Sequence, residues 1–406
     1  MPEVKPDIET FAKIKVVGVG GSGGSALNRM METGIKGVDF LAINTDVQAL
    51  HLSLAPEKLH IGKTVTRGLG AGMDPGLGRR AAEESENEIR ESLKGADMVF
   101  ITCGLGGGTG TGAAPLVAQI AQDVGALTVA VITRPFSFEG AQRKTIADQG
   151  LDELMRNVDT LITIPNDRLL QIIDKKTSLL DAFAITDDVL RHGVQGISEI
   201  ITVPGLINVD FADVKAIMRG TGSALMGIGE ARGEHRAQEA AKAAIASPLL
   251  DLAIDGAKGI LFTITAGKNL LMHEVSEAAE IITASADANA KIIFGAIVHD
   301  ELDDDVIKIT VVATGFYEHG YDAGSDRRGG KAVEKMSGMA MNSSAPMRVA
   351  REQELLNDVE PEKSVPWKVA VDASADDAYA LTPEEEDLEV PSFIRKQLQR
   401  KKKGLV

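Results

Sequence analysis

At 406 residues with 44% hydrophobic side chains, the chain can form roughly two to three domains of ~150 residues, each with a real core. A formal charge of −16 excludes a general nucleic-acid binder, which would need a basic face. The single cysteine, Cys103, excludes disulfides and cysteine metal sites and reads as a small buried strand residue.

The opening MPEVKPDIET is acidic and lacks the apolar core of a signal peptide. No later stretch approaches the ~18 apolar residues of a membrane span. A cytoplasmic protein without direct membrane insertion is expected. KIKVVGV (13–19) reads as the first strand, and GGSGGSALNRMMETG turns from it into a helix. Gly18, Gly20 and Gly23 satisfy the dinucleotide fingerprint G-x-G-x-x-G in a strand–turn–helix setting. Gly20 to Gly24 also match the nucleophile elbow G-x-S-x-G, with Ser22 as nucleophile. In a run this rich in glycine the match carries little weight, and no histidine has a supporting context. VDFLAI (38–43) is the next strand, ending in Asn44, Thr45 and Asp46, where a ribose-binding acid could sit. Gly62-Lys63-Thr64 ends like a P-loop, but the glycine needed five positions earlier is Glu57.

RGLGAGMDPGLG (67–78) is a further glycine-rich loop, followed by a charged helix to about Lys94. MVFITC (98–103) then reads as a buried strand running straight into GLGGGTGTG (104–112). After it, Leu116, Val117, Ile120, Ala121 and Val124 recur with a helical period. The glycines therefore lie on a strand-to-helix turn, where a backbone without Cβ atoms can curl round a ligand and present its N–H groups. The helix start adds partial positive charge, and Thr109 and Thr111 add hydroxyl donors. Such a turn fits an anion, most simply the phosphates of a nucleotide.

ALTVAVIT is another strand, leading through RPFSFEG into a helix to about Asn157, and VDTLITIP a further one, with Asn166 opening the next helix. From Ser178 to about Thr202, Leu179, Leu180, Phe183, Val189, Leu190, Val194, Ile197 and Ile201 mark one face of a long bridging helix. Beyond Pro204, the strands GILFTITAG, KIIFGAIV and VIKITVVATG and two helical stretches read as a smaller mixed sheet with helices. Order is expected to stop near Phe316, leaving a disordered acidic linker over 317–387. From Leu388 onward six basic residues face one acid, Glu389, and Val390, Phe393, Ile394 and Leu398 can share a helical face. That is a docking peptide on a tether.

VGVGGSGG, NTDVQAL, GLGAG, GGGTGTG, RPFSFEG, ITIPND, LLDAFAITDDVL and NVDFADV together resemble the tubulin/FtsZ family, over roughly Ile14 to Phe316 plus the terminal peptide. The resemblance implies an α/β fold: a parallel-sheet, Rossmann-like GTP-binding domain (13–177) and a long central helix (178–203). A smaller α+β domain with a mixed sheet (204–316) and a disordered tail follow, and 1–12 are an N-terminal extension. It implies GTP or GDP held by Gly20, Gly21, Ser22, Gly23, Gly24 and Ser25, by Asn44, and by Ala71 and Gly72. The cradle would add Gly104, Gly106, Gly107, Gly108, Thr109, Gly110, Thr111 and Gly112, and the next strand Thr133 and Pro135. Glu139 and Arg143 would lie near the ribose, and Asn166, Phe183 and Asp187 at the guanine. Asn208, Asp210 and Asp213 of NVDFADV would reach the nucleotide of a neighbouring subunit and complete hydrolysis there, with Mg²⁺ neutralising phosphate charge. The resemblance further implies head-to-tail polymerisation at the bacterial division site. VPSFIRKQ, with Val390, Pro391, Phe393, Ile394, Arg395, Lys396 and Leu398, resembles the peptide that membrane tethers and division regulators bind.

Plainer readings stand beside these. Glu139 and Arg143, four apart on one helix, suit an ordinary ion pair, and Glu139 in a first turn suits the helix dipole. Asp187 suits an exposed helix acid like Asp188, and Asp210 and Asp213 suit helix capping. A nicotinamide-dependent oxidoreductase using Gly18, Gly20 and Gly23 is the rival activity, although no hydride-transfer acid–base pair is visible. A non-hydrolysing scaffold with a relict site is a third, and the intact NVDFADV speaks against it.

Overall fold

A computed structural model describes residues 12–170, 177–203, 205–247, 256–299 and 302–316. The expected linker and terminal peptide lie outside the described residues. The first half runs β1 (Ile14–Val19), α1 (Gly20–Glu32), β2 (Val38–Asn44), α2 (Val47–Leu52), β3 (Glu57–His60), α3 (Pro75–Glu84), α4 (Glu86–Leu93) and β4 (Met98–Gly104). It continues with α5 (Thr109–Asp123), β5 (Leu127–Arg134), α6 (Ala141–Met155), β6 (Thr160–Pro165), α7 (Asn166–Leu169) and the long α8 (Leu179–Thr202). The remainder is α9 (Phe211–Met218), β7 (Gly222–Arg232), α10 (Arg236–Ile245), β8 (Gly259–Ala266), α11 (Met272–Thr283), β9 (Lys291–Val298) and β10 (Val306–Thr314).

The strands form one sheet in the order β3-β2-β1-β4-β5-β6-β7-β10-β8-β9. From β3 to β7 every pairing is parallel, whereas β10 runs antiparallel to both β7 and β8. Strands buried on both faces need no polar alternation, which is why β4 is apolar from Met98 to Ile101. Its Met98 and Phe100 join one core layer with α1 and α8, and Val99, Ile101 and Cys103 join the opposite layer with α3 to α6. A third cluster unites β8 and β10 with α10 and α11. The mixed half is continuous with the parallel half through a short ladder, Thr160–Ile162 against Gly222–Ala224. The chain moves outward from β1 to β2 and β3, then returns to β4 on β1's other side. That reversal opens a crevice at the carboxyl ends of β1 and β4.

Some elements differ from their sequence reading. β3 and β7 were not expected. The charged helix before Lys94 is two helices, broken at Ser85, whose buried hydroxyl accepts the Gly62 N–H at 3.3 Å. α3 already begins inside the glycine-rich loop, because the Asp74 side chain accepts the Leu77 N–H at 3.2 Å and Pro75 starts the turn.

Candidate functional site

Two helices, α1 and α5, begin directly after β1 and beyond the glycine turn following β4, so both N-termini open on the crevice. Gly20 adopts φ +77, a conformation open to glycine, and a Cβ there would lie 3.0 Å from the Gly110 nitrogen, so the two glycine runs pack closely. Ser22 Oγ accepts the Gly104 N–H at 2.8 Å and ties the runs together. Gly108 donates to the Gly72 carbonyl at 2.9 Å, which adds the loop before α3 to the wall. The result is a cavity of about 330 Å³. It is lined by the glycine-rich residues Gly21, Ser22, Gly72, Gly107, Gly108, Thr109 and Gly110. Glu139, Arg143, Asn166, Phe183 and Asp187 also line it.

Gly104, Thr133 and Pro135 line it too. The remaining residues expected at the ligand support the wall instead. Gly23 is buried against Thr102 and Gly18, where a Cβ would meet the Thr102 carbonyl at 2.5 Å. Ser25 is exposed and donates to the Gly21 carbonyl at 3.3 Å, and Gly24 beside it is half-exposed. Asn44 turns its side-chain oxygen to the Thr45 N–H at 2.8 Å. Ala71 backs Gly108, Gly106 packs against Pro135 and Arg143, and Gly112 lies against the Pro75 carbonyl. Both threonine hydroxyls expected as donors make hydrogen bonds within the fold. Thr111 accepts the Gly106 N–H at 2.9 Å, and Thr109 lies 2.6 Å from the Thr45 hydroxyl. Three lining residues escaped the sequence reading: Leu105, Thr186 and Leu190. Thr186 and Leu190 follow Phe183 at helical spacing, a signal that was present.

Two of the lining polar groups are unmet. Asn166 is buried, and its side-chain oxygen has no hydrogen-bond partner. Asp187 is half-buried, and burial pushes its carboxyl from 3.8 up to about 7, Arg29 opposing and Asp188 adding to the rise. Asp188 differs. Burial pushes it up too, but hydrogen bonds from Arg191 (2.9 Å) and Arg29 (3.3 Å) outweigh that and hold its carboxyl below the ordinary range. Asp187 is thus no ordinary surface acid. Phe183 stands beside it, edge-on to the buried Phe136 at 5.8 Å. Glu139 and Arg143 do pair, but not on one helix: Glu139 ends a 3₁₀ turn (Ser137–Glu139), and Gly140 at φ +98 separates it from α6.

Asn208, Asp210 and Asp213 stand apart from this cavity, around the start of α9. Asp210 occupies the cap position without a side-chain capping bond, and both aspartates are exposed. Asn208 Oδ1 accepts the Gly205 N–H at 2.6 Å. A larger cleft of about 660 Å³ lies between α8 and the β8–β10 strands, lined by His192, Glu199 and Lys308 among others and by none of the expected site residues. Burial, with nearby Lys308 and Arg191, pushes His192 down to about 3.

The cradle predicts a contrast between neighbouring glycines. A Cβ at Gly108 would lie 2.6 Å from the Gly72 carbonyl, while one at Gly107 meets nothing within 4 Å. Gly108→Ala should therefore lose about 1–3 kcal/mol of stability along with nucleotide affinity. Gly107→Ala should lose affinity alone, because its methyl enters only the ligand's space. Thermal unfolding beside equilibrium binding checks both.

Glycine turns and helix N-termini meeting at the switch point of a parallel sheet, beside a pocket with unmet polar groups, define a nucleotide-binding α/β protein. A family model described as "Tubulin/FtsZ family, GTPase domain" matches residues 13–174, and "FtsZ family, C-terminal domain" matches 222–317. The chain belongs to the FtsZ family of tubulin-like GTPases. Among solved structures, an empty FtsZ dimer from M. jannaschii is 48% identical, covering 75% of this chain and 89% of its own, with a TM-score of 0.73. CetZ2 from Haloferax volcanii, a GTPγS-bound protofilament, shares the fold at 23% identity, covering 74% of this chain and 92% of its own (TM-score 0.63). GDP-bound monomeric CetZ1 from the same organism does so at 20% identity, covering 75% and 95% (TM-score 0.65). GTP and GDP are this family's ligands and GTP hydrolysis its activity. Among the described residues no helix is long and apolar enough to cross a membrane.

Proposed function

We propose that the chain binds GTP in the glycine-walled cavity and polymerises head-to-tail. The exposed aspartates of one subunit then complete hydrolysis at the next. The observation that carries the ligand reading is the cavity's polarity. Glycine runs that begin two helices line it, and so do Asn166, whose buried side-chain oxygen has no partner, and the half-buried Asp187. A single ligand with an anionic tail and N–H donors on its base satisfies both. Guanine offers paired N–H donors to a carboxylate, whereas adenine presents an acceptor at the same edge. The phosphates would rest on Gly21, Ser22, Gly72 and Gly107–Gly110, the ribose near Glu139 and Arg143, and the base against Phe183. Among the described residues no group of three carboxylate, histidine or cysteine side chains is placed to hold a metal. A Mg²⁺ ion would therefore be held mainly by phosphate oxygens and water, supplying charge neutralisation.

Support for shared catalysis lies in Asp210 and Asp213. They are exposed, make no capping bond, and belong to a different part of the chain from the cavity. Phosphoryl transfer needs a positioned water and stabilised charge more than covalent chemistry, and two carboxylates brought to the γ-phosphate by a neighbour can orient that water. The FtsZ dimer and the CetZ2 protofilament are assemblies of those proteins, and head-to-tail assembly is the reading adopted for this chain. GTP turnover measured across protein concentration tests it. Specific activity should rise steeply from a lag at low concentration, and a constant value down to monomeric dilution would refute shared catalysis.

The same reading places the filaments at the division site, held there by partners that grip Val390, Pro391, Phe393, Ile394, Arg395, Lys396 and Leu398. Phe393→Ala should abolish partner docking in a pull-down while leaving assembly and GTP turnover intact. Truncation at Asp387 that stopped assembly in solution would contradict this division of labour.

A further inference from the structure

The loop leading to α9 is sewn to the edge of the sheet. Leu206 and Ile207 both donate to the Ala296 carbonyl of β9, at 2.8 and 3.2 Å, and Ala296 donates back to Ile207 at 3.1 Å. β9 is the last strand of the sheet, paired on its other side only with β8, so these bonds occupy its free edge. Just before them, Gly205 lies so close to β9 that a Cβ would sit 2.4 Å from the Ala296 carbonyl oxygen. Only a residue without a side chain permits that approach. Just after them, the Asn208 side-chain oxygen reaches back three residues to the Gly205 N–H at 2.6 Å and closes the loop on itself. Val209 is then buried in the core with Val214, Ile217 and Met218, while Asp210 and Asp213 stay exposed on the other side.

The Asn208 side-chain oxygen is therefore held within its own loop. Its acceptor is committed to Gly205, and the bond fixes how the chain leaves β9 before Asp210. We infer that Asn208 is a positioning residue, and that the Gly205–Ala296 contact with the edge of β9 sets where Asp210 and Asp213 stand. This rests on the reading that the two aspartates act on a neighbour's nucleotide. Misplacing a catalytic group by an ångström costs up to about a hundredfold in rate. The device thus ties catalysis in one subunit to the sheet edge of the other.

The role separates from direct contact by what each substitution keeps. Asn208→Asp retains an acceptor oxygen for Gly205, whereas Asn208→Ala removes it. GTP turnover per assembled subunit, nucleotide affinity of the isolated protein and thermal stability are measured for both, with Gly205→Ala and Asp213→Ala alongside. The expected result is roughly a tenfold to hundredfold loss of turnover in Asn208→Ala and Gly205→Ala, with affinity unmoved, and recovery of most turnover in Asn208→Asp. If Asn208→Asp is as inactive as Asn208→Ala while Asp213→Ala is also inactive, the amide acts by contact and the inference is overturned. If Asp213→Ala retains full turnover, the shared-catalysis reading itself has failed and the inference falls with it. If Gly205→Ala is unstable, the two Asn208 variants, altered at an exposed side chain, still decide the question.

Discussion

Asp213→Ala should bind GTP as tightly as the unsubstituted protein and hydrolyse it at least about a hundredfold more slowly, the scale on which a positioned base or water-orienting group acts. The two halves of that statement have separate physical grounds. Affinity is retained because Asp213 is absent from the cavity wall, and nothing lining the cavity depends on it for a hydrogen bond. Turnover is lost because, among the described residues, the carboxylates lining the cavity are Glu139, which is paired with Arg143, and Asp187, which the proposed reading gives to the base. Removing an exposed carboxylate that makes no capping bond also costs the fold little, so stability should stay nearly constant. Binding by equilibrium titration, turnover by phosphate release and unfolding by heat distinguish the outcomes. A parallel fall in affinity would mean that Asp213 meets its own chain's nucleotide, and unchanged turnover would remove it from the chemistry.

What was legible in the sequence follows from how strongly each element is constrained. β1, β4, β5 and β6 are buried on both faces, so their apolar runs announce them without alternation. β7 hides because packing demanded glycine. At Gly229 a Cβ would lie 2.0 Å from the Ala240 carbonyl, so α10 can rest on the strand only if propensity is sacrificed. β3 hides for the opposite reason: it is a four-residue edge strand, EKLH, with two exposed charged positions and no apolar period. In both, a tertiary requirement overrode the local signal.

The site divides in the same way. A run such as GLGGGTGTG declares a phosphate cradle, yet composition alone cannot say which glycines face the ligand. Gly107 and Gly110 line the cavity, whereas Gly106 and Gly112, on either side of them, are used for close backbone packing. Thr111 looks like a donor in sequence but is turned inward to hold the turn that Gly106 makes. Asp187 and Asp188 are indistinguishable as letters. Only the placement of Arg29 and Arg191 around Asp188 leaves Asp187 as the carboxylate without a donor.

That unpartnered carboxylate makes guanine binding depend on pH, with a predictable sign. In the free protein, burial raises Asp187 to about 7, so below that pH the group carries a proton. A base that donates N–H groups to it favours the charged form and lowers its pKa on binding. Binding below about pH 7 must therefore expel a proton, and affinity should fall about tenfold per pH unit, or about a hundredfold between pH 7 and pH 5. Above pH 7 it should level off. Asp187→Asn has no proton to expel, so its affinity, though lower by the ~1.5–3 kcal/mol of a charged hydrogen bond, should lack this component. Taking the ratio of the two profiles for the same nucleotide cancels the titration of the phosphate itself. The folding consequence runs the other way. Between 3.8 and about 7 the folded protein holds a proton that the unfolded chain has released, so this group's contribution to stability declines as pH rises through that window. Asp187→Asn should accordingly be more stable than the unsubstituted protein at pH 8 in the absence of nucleotide, and less able to hold guanine. A flat ratio of the two binding profiles from pH 5 to 8 would show that the carboxylate does not meet the base.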